Sequence, residues 1–276
     1  MFEIAEFMVL ADQFNHTVRG KTIKTGSWGN SPHKFVWHNL PEGEFAEAVA
    51  GKTIGATTSR GKWMFTAVEP GFVLVLGECG GKLLYHPAGA PWPKKYHFSL
   101  TFTDGSFLTH TTQMWGAVEL YPKGEELERE YIKDMRITPL EEGFTYEYFR
   151  DLIAQLLAGK KQSAKGLLTQ DQTIPGLGNA IAQDILFKAG VHPRRPISEL
   201  SEVEQKALYT AMRSTIKEII AKGGRYDEAD LFGNPGGYVR LMDKNALKRP
   251  CPVCGGTVEK ISYLGGACYL CPTCQV

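Results

Sequence analysis

The sequence predicts an α+β protein: an N-terminal helix and β-sandwich, then a helical half, closed by a C-terminal β-hairpin zinc finger. Three observations carry this. Short β-rich runs fill residues 21–121, apolar residues at helical spacing dominate from residue 145, and a doubled Cys-x2-Cys pattern ends the chain.

Taken in order, residues 3–19 read as a helix in which Ile4, Phe7, Met8, Ala11 and Phe14 share a face and Gly20 ends the run. Glu3 and Glu6 sit where a helix start favours carboxylates, and that role alone accounts for both. Strands are expected at 21–28, 34–38, 52–58, 62–68, 71–77, 82–86, 96–103, 106–112 and 116–121, with a hairpin turn at Thr103–Ser106. So many strands with no helix between them argue for a sandwich. The charged, Pro/Gly-punctuated stretch 123–144 reads as a linker.

In the second half, Phe149, Leu152, Ile153, Leu156 and Leu157 form a stripe closed by Gly159. Ser163 is the expected N-cap of a short helix over 164–170. Pro175, Gly176 and Gly178 then interrupt, and Asn179 precedes a second helix that Gly190 stops. Ser201 and Glu204 form a capping box before a long helix reaching Gly223-Gly224. Residues 223–250 read as a loop.

The helix opening at Asn179 is chemically suggestive. Gly176 and Gly178 keep side chains away, so N–H groups at a helix N-terminus lie beside an amide, which suits an anion such as a phosphodiester. Lys165, fourteen residues earlier, can add a charge-assisted contact. A plain helix corner, with glycines for close packing, explains the same residues equally well.

The terminal pattern is the most specific. Cys251, Cys254, Cys271 and Cys274, with 16 residues between the pairs, have the spacing of a closed four-thiolate zinc site. One structural Zn2+ is expected, with Cys268 packing as a small apolar residue. Five of six cysteines lie in the last 26 residues, which points to a metal knot in a reducing cytoplasm rather than a disulfide frame. No apolar run is long enough to span a membrane, and the N-terminus is not a secretory signal. Net charge is +1, divided as −3 over residues 1–144 and +4 over 145–276, which is compatible with nucleic acid without requiring it.

In combination these features resemble the formamidopyrimidine-DNA glycosylase / endonuclease VIII family, the helix–two-turns–helix base-excision enzymes. The likeness runs the whole length. It is densest over 163–193, at KGGRYDEADLFGNPGGY (222–238) and at CPVCGG…CPTCQ (251–275), with weaker echoes in SRGKWMF (59–65), LGECGG (76–81) and YHFSLTFTDGSFL…MWG (96–116). The resemblance implies domains at 1–122, 145–249 and 250–276 about the 123–144 linker. It also implies a cytoplasmic, nucleoid-associated monomer acting on double-stranded DNA with damaged bases or abasic sites. Family members bind such DNA between their two domains and flip the damaged nucleotide out. An N-terminal amine, usually of a proline exposed by loss of Met, attacks the deoxyribose C1′ beside a catalytic Glu.

Carried over by position, Glu3 takes the catalytic-acid place and Glu6 a second carboxylate near the sugar. Lys62, Lys165 and Asn179, with the Gly178 backbone, would bind phosphates. Several positions depart from the pattern. Phe2 stands at the proline position, so retention of Met1 is expected, with its primary α-amine one residue further out, and either that amine or an activated water would serve beside Glu3. Gly266 replaces a finger-tip Arg, and Glu78 replaces a void-filling Met. Met114–Trp115 replaces an Arg/Phe pair, leaving Trp115 as either a duplex wedge or a core aromatic. The favoured expectation is a DNA glycosylase, with AP-lyase activity in question because of Phe2. Against it stand a non-catalytic lesion or abasic-site binding protein and, remotely, a zinc-ribbon interaction protein.

Overall fold

A computed structural model of the chain describes residues 1–31, 33–157 and 162–276. It divides into two compact units, Met1–Met135 with Ile219–Tyr238, and Arg136–Glu218 with Val239–Val276.

The first unit opens with α1 (Ile4–Thr17), capped by Glu3, whose backbone N–H donates to the Glu6 carboxylate at 3.0 Å. Phe7, Leu10, Ala11 and Phe14 form its buried face, an i, i+3, i+4, i+7 stripe. Leu10 therefore takes the core position expected of Met8, which is only half-buried. Gly20, at φ +84°, turns the chain as expected.

The strands are β1 (Ile23–Ser27), β2 (Val36–Trp37), β3 (Thr53–Arg60), β4 (Trp63–Glu69), β5 (Phe72–Gly77), β6 (Gly80–His86), β7 (Phe98–Phe102), β8 (Phe107–Gln113) and β9 (Gly116–Pro122). They form a five-stranded sheet ordered β2-β9-β5-β4-β3 and a four-stranded sheet ordered β1-β7-β8-β6. Met64, Leu74, Leu76 and Val118 of the first sheet share one apolar core with Phe98, Leu100 and Leu108 of the second and with α1. Burial alternates along much of β4, whereas β5, β7, β8 and β9 are buried at nearly every residue, as strands covered on both faces are.

One expectation fails here. A helix, α2 (Glu42–Val49), interrupts the strands. Its signals are local: Pro41 before it, Glu42 and Glu44 in the first turn, and Phe45 and Val49 one turn apart. Phe45 and Val49 are fully buried, and Phe45 stacks on Trp28 with ring centroids 3.8 Å apart. At eight residues this segment was too short for its periodicity to stand out from the surrounding strands.

The second unit contains α3 (Tyr146–Leu157), α4 (Ala164–Thr169), α5 (Asn179–Lys188) and the first part of α6 (Glu202–Ala221). The stop predicted at Gly159 lies outside the described residues. Ser163 caps α4 by accepting from the Gly166 N–H at 3.1 Å, and Ser201 and Glu204 form the expected box before α6. Beyond a 3-10 turn at Ala246–Lys248, β10 (Glu259–Tyr263) and β11 (Gly266–Leu270) form the terminal antiparallel hairpin. Among the described residues no helix is long and apolar enough to cross a membrane.

Candidate active site and metal centre

The start of α1 and the loop after α6 build a buried charged cluster. Glu3 and Glu6 are each 4% exposed. They receive the guanidinium of Arg225, which is itself 1% exposed. Its Nε and Nη2 donate to the two Glu6 oxygens at 2.9 Å each, a bidentate fork. Nη1 lies 3.7 Å from Glu3 Oε1. Nη2 also donates to the Met1 carbonyl at 2.9 Å and lies 3.6 Å from Glu228.

Burial alone would push the Glu6 carboxyl up, but the Arg225 charge and hydrogen bonds outweigh it and hold Glu6 below the usual carboxylate range. Arg225 in turn is held protonated by Glu6, Glu3 and Glu228 against its own burial.

The Met1 α-ammonium donates to Glu228 Oε1 at 2.6 Å. Phe2 points the other way. Its side chain is wholly buried, edge-on to Phe7, and its N–H donates to the Cys79 carbonyl at 3.1 Å. Position 2 is thus a core anchor whose amide nitrogen has no nucleophilic character.

The remaining predicted residues are distributed as follows. Lys62 lies in the turn between β3 and β4, largely buried, with Nζ 3.9 Å from Glu78 Oε2. Glu78 sits in a left-handed conformation at φ +49° in the β5–β6 turn. Met114 and Trp115, at the β8–β9 turn, are 59% and 42% exposed. Trp115 is therefore a surface aromatic, and its reading as a core residue is overturned.

In the second unit, α4 and α5 grip the tip of the terminal hairpin. Lys165 is 2% exposed, and its Nζ donates to the Tyr263 carbonyl at 2.6 Å. Asn179, exposed in the first turn of α5, donates to the Ala267 carbonyl at 3.1 Å. Gly178 is the N-cap in an extended conformation, whereas Gly176 at φ +94° is the position that needs glycine. A Cβ on Gly266 would lie 3.5 Å from the Asn179 side chain, an ordinary contact, so finger tip and helix start adjoin.

Sequence reasoning missed two further ties. Gln183 accepts from the Tyr269 N–H at 2.7 Å, and the fully buried Asp184 accepts from the Leu241 and Met242 N–H groups at 3.0 and 2.8 Å. Polar residues on an otherwise apolar helix face were the available signal. Arg225 and Glu228 were likewise inside a flagged segment, but no local rule assigns a buried partner 219 residues away.

Cys251, Cys254, Cys271 and Cys274 bring their four sulfurs within 4.8 Å of one another. The Cys251–Cys274 and Cys254–Cys271 separations are 3.8 and 3.5 Å. Thiolates at about 2.3 Å around a tetrahedral ion stand about 3.8 Å apart, so the set fits one metal ion. Cys268 is buried outside this group, and Cys79 is a buried thiol whose burial raises its pKa to about 12, so it is chemically quiet.

Comparison with known proteins gives consistent matches. Residues 1–114 match the family model of the formamidopyrimidine-DNA glycosylase N-terminal domain, and residues 136–229 match that of the formamidopyrimidine-DNA glycosylase H2TH domain. The formamidopyrimidine-DNA glycosylase of Bacillus subtilis is 29% identical over 287 residues, covering 100% of this chain and 99% of that one. That of Oceanobacillus iheyensis is 28% identical over 283 residues, covering 100% and 98%. Among solved structures, Lactococcus lactis Fpg in complex with DNA containing an abasic site superposes with a TM-score of 0.87 at 22% identity over 99% of each chain. The same protein bound to DNA containing N7-benzyl-Fapy-dG gives 0.86 at 23%, again over 99% of each chain.

The Arg225 cluster predicts a large and pH-dependent stability effect. Arg225→Met should cost about 3–5 kcal/mol at neutral pH, because it strands buried carboxylates. The Glu6 carboxyl is held below its ordinary value, so the pair stabilises fully above about pH 4.5 and loses that contribution as pH falls through the depressed folded value. Urea unfolding at pH 7 and pH 3.5 checks this. A gap between wild type and variant that does not narrow in acid would contradict it.

Proposed function

The chain belongs to the formamidopyrimidine-DNA glycosylase / endonuclease VIII family, and from that premise we propose that it is a base-excision repair DNA glycosylase. Its substrate is double-stranded DNA containing damaged bases, and abasic DNA is a second partner. The observation that carries this reading is the buried carboxylate pair Glu3 and Glu6, locked by Arg225 beside the Met1 amine. Breaking an N-glycosidic bond needs a proton for the departing base and a nucleophile at C1′. Glu3 is assigned the acid/base role, while Glu6, held anionic by Arg225, orders the start of α1. Phe2 takes no part in bond breaking, and any strand cleavage must use an amine other than that of residue 2.

Phosphate binding is assigned to Lys165, Asn179 and the Gly178 backbone in the second unit and to Lys62 in the first. Lys165 spends one hydrogen bond on the hairpin tip and has two more ammonium protons to offer. The exposed Met114–Trp115 turn is assigned as the apolar wedge that fills a stack when a nucleotide leaves it. The four cysteines are assigned one Zn2+. Four thiolates leave no open position, so the ion is structural and braces the finger. A monomer in the cytoplasm, associated with the nucleoid, is the corresponding cellular expectation.

Three outcomes test the reading. Glu3→Gln should lower base release from damaged-base oligonucleotides by about 10²–10⁴-fold while sparing affinity for DNA carrying a tetrahydrofuran abasic analogue. If wild type binds such DNA and releases no base, the protein is a lesion binder rather than a glycosylase. Asn179→Ala should weaken binding by about 1–3 kcal/mol whatever the lesion, and equal affinity on titration would remove its phosphate role. Chelation should release one zinc per chain and open residues 250–276 to protease; a tail equally resistant before and after would defeat the assignment.

A further inference from the structure

A second exposed turn stands beside Met114–Trp115. The edge strand β2 pairs with β9 in parallel, Val36 opposite Gly116 and Trp37 opposite Ala117. The Gly116 N–H also donates to the Phe35 carbonyl at 3.0 Å, so the register sets Lys34–Phe35 alongside Met114–Trp115. Phe35 and Trp37 are 46% and 51% exposed, and neither belongs to the core. The Lys34 Nζ lies 4.7 Å from the centroid of the Phe35 ring, a cation–π contact that holds the ammonium at the ring face.

The backbone of this turn is anchored. His33 accepts from the Phe35 N–H at 3.3 Å and, through its carbonyl, from the Val36 N–H at 3.0 Å. Its ring packs against that of the buried His97, with centroids 4.9 Å apart. Asn30 exchanges hydrogen bonds with Tyr96 and donates to the Lys94 carbonyl at 3.2 Å. Gly29, at φ +93°, approaches the same segment so closely that a Cβ would fall 2.4 Å from the Tyr96 carbonyl oxygen. A backbone held in this way loses little further freedom on binding.

The local charge is strongly positive. Residues 20–41 and 86–118 hold five lysines and one carboxylate, Asp104, which Lys21 engages. They lie within residues 1–144, whose net charge is −3. Lys94 and Lys95 are exposed on the segment that Asn30 grips. Glu78, whose neighbour Cys79 backs Gly116, faces Lys62 at 3.9 Å. Exposed aromatic rings set among lysines suit a polyanion that carries flat rings of its own, which is a nucleic acid.

We propose that Lys34 and Phe35 form a second rung of the DNA wedge: Phe35 packs beside Trp115 into the opened base stack, and the Lys34 ammonium pairs with a backbone phosphate of the strand that the wedge enters. This inference rests on the reading above that the protein binds damaged duplex DNA and that the Met114–Trp115 turn enters it. A flat ring fills the space between separated bases, and a lysine at its rim meets the phosphate next to that gap.

Titration of a duplex carrying a tetrahydrofuran abasic analogue, over a range of salt, tests the proposal. Lys34→Gln should weaken binding about three- to tenfold and lower the slope of log K against log salt by about one, whereas Lys34→Arg keeps both. Lys123→Gln removes the same charge just beyond the opposite end of β9 and should leave the slope unchanged. Equal losses in the two glutamine variants would show bulk charge alone and overturn the proposal. Phe35→Ala should weaken binding to the abasic duplex about fivefold or more and to undamaged duplex far less; equal losses on both, or none, would remove its wedge role. Lys34→Gln changes an exposed side chain and decides by itself if Phe35→Ala fails to fold. Weaker binding by Trp115→Ala, with positions 34 and 35 indifferent, would sink this inference and leave the broader reading intact. Failure of the wild type to bind damaged DNA would defeat that reading instead.

Discussion

A single buried guanidinium organises the chemistry-bearing end of the first unit. Arg225 belongs to a loop more than two hundred residues from α1, yet it forks onto Glu6, faces Glu3 and Glu228, and holds the Met1 carbonyl. Each carboxylate would be costly to bury alone. Placed against a cation that cannot be deprotonated, Glu6 stays charged in a space from which water is largely excluded. The geometry of α1's first turn, the path of residues 1 and 2, and the course of the 222–238 loop all follow from that arrangement.

The same logic, with weaker partners, shapes the second unit. The terminal hairpin has little apolar surface of its own, and its small core draws on Phe187, Met242 and Ala246. Polar side chains from α4 and α5 complete the attachment: Lys165 to Tyr263, Asn179 to Ala267 and Gln183 to Tyr269. The residues assigned to phosphates therefore also fix the finger. Through these bonds the hairpin tip and the start of α5 are mechanically one element.

Position 2 serves the core rather than the charged cluster beside it. The ring of Phe2 fills a fully buried site against Phe7. Burying such a ring contributes roughly 2 kcal/mol or more, so residue 2 is built into the core. The residue before it is held separately, where Gly80 leaves room for Met1 and Glu228 accepts from its ammonium. The Met114–Trp115 turn is different in kind, because its side chains are exposed.

The sequence by itself determined what short-range rules govern. Periodicity located α1, the strands and the long helices; capping residues placed Ser163 and Ser201; cysteine spacing brought four sulfurs together. The helix α2 was short enough for its stripe of Phe45 and Val49 to pass unread among strands. Only tertiary structure decided that Trp115 is exposed, that Lys165 is buried against the hairpin, and that Arg225 and Glu228 join Glu3, Glu6 and Met1. Those outcomes turn on desolvated charges finding partners across long stretches of chain, and a buried ion pair leaves no periodic trace in the residues that make it.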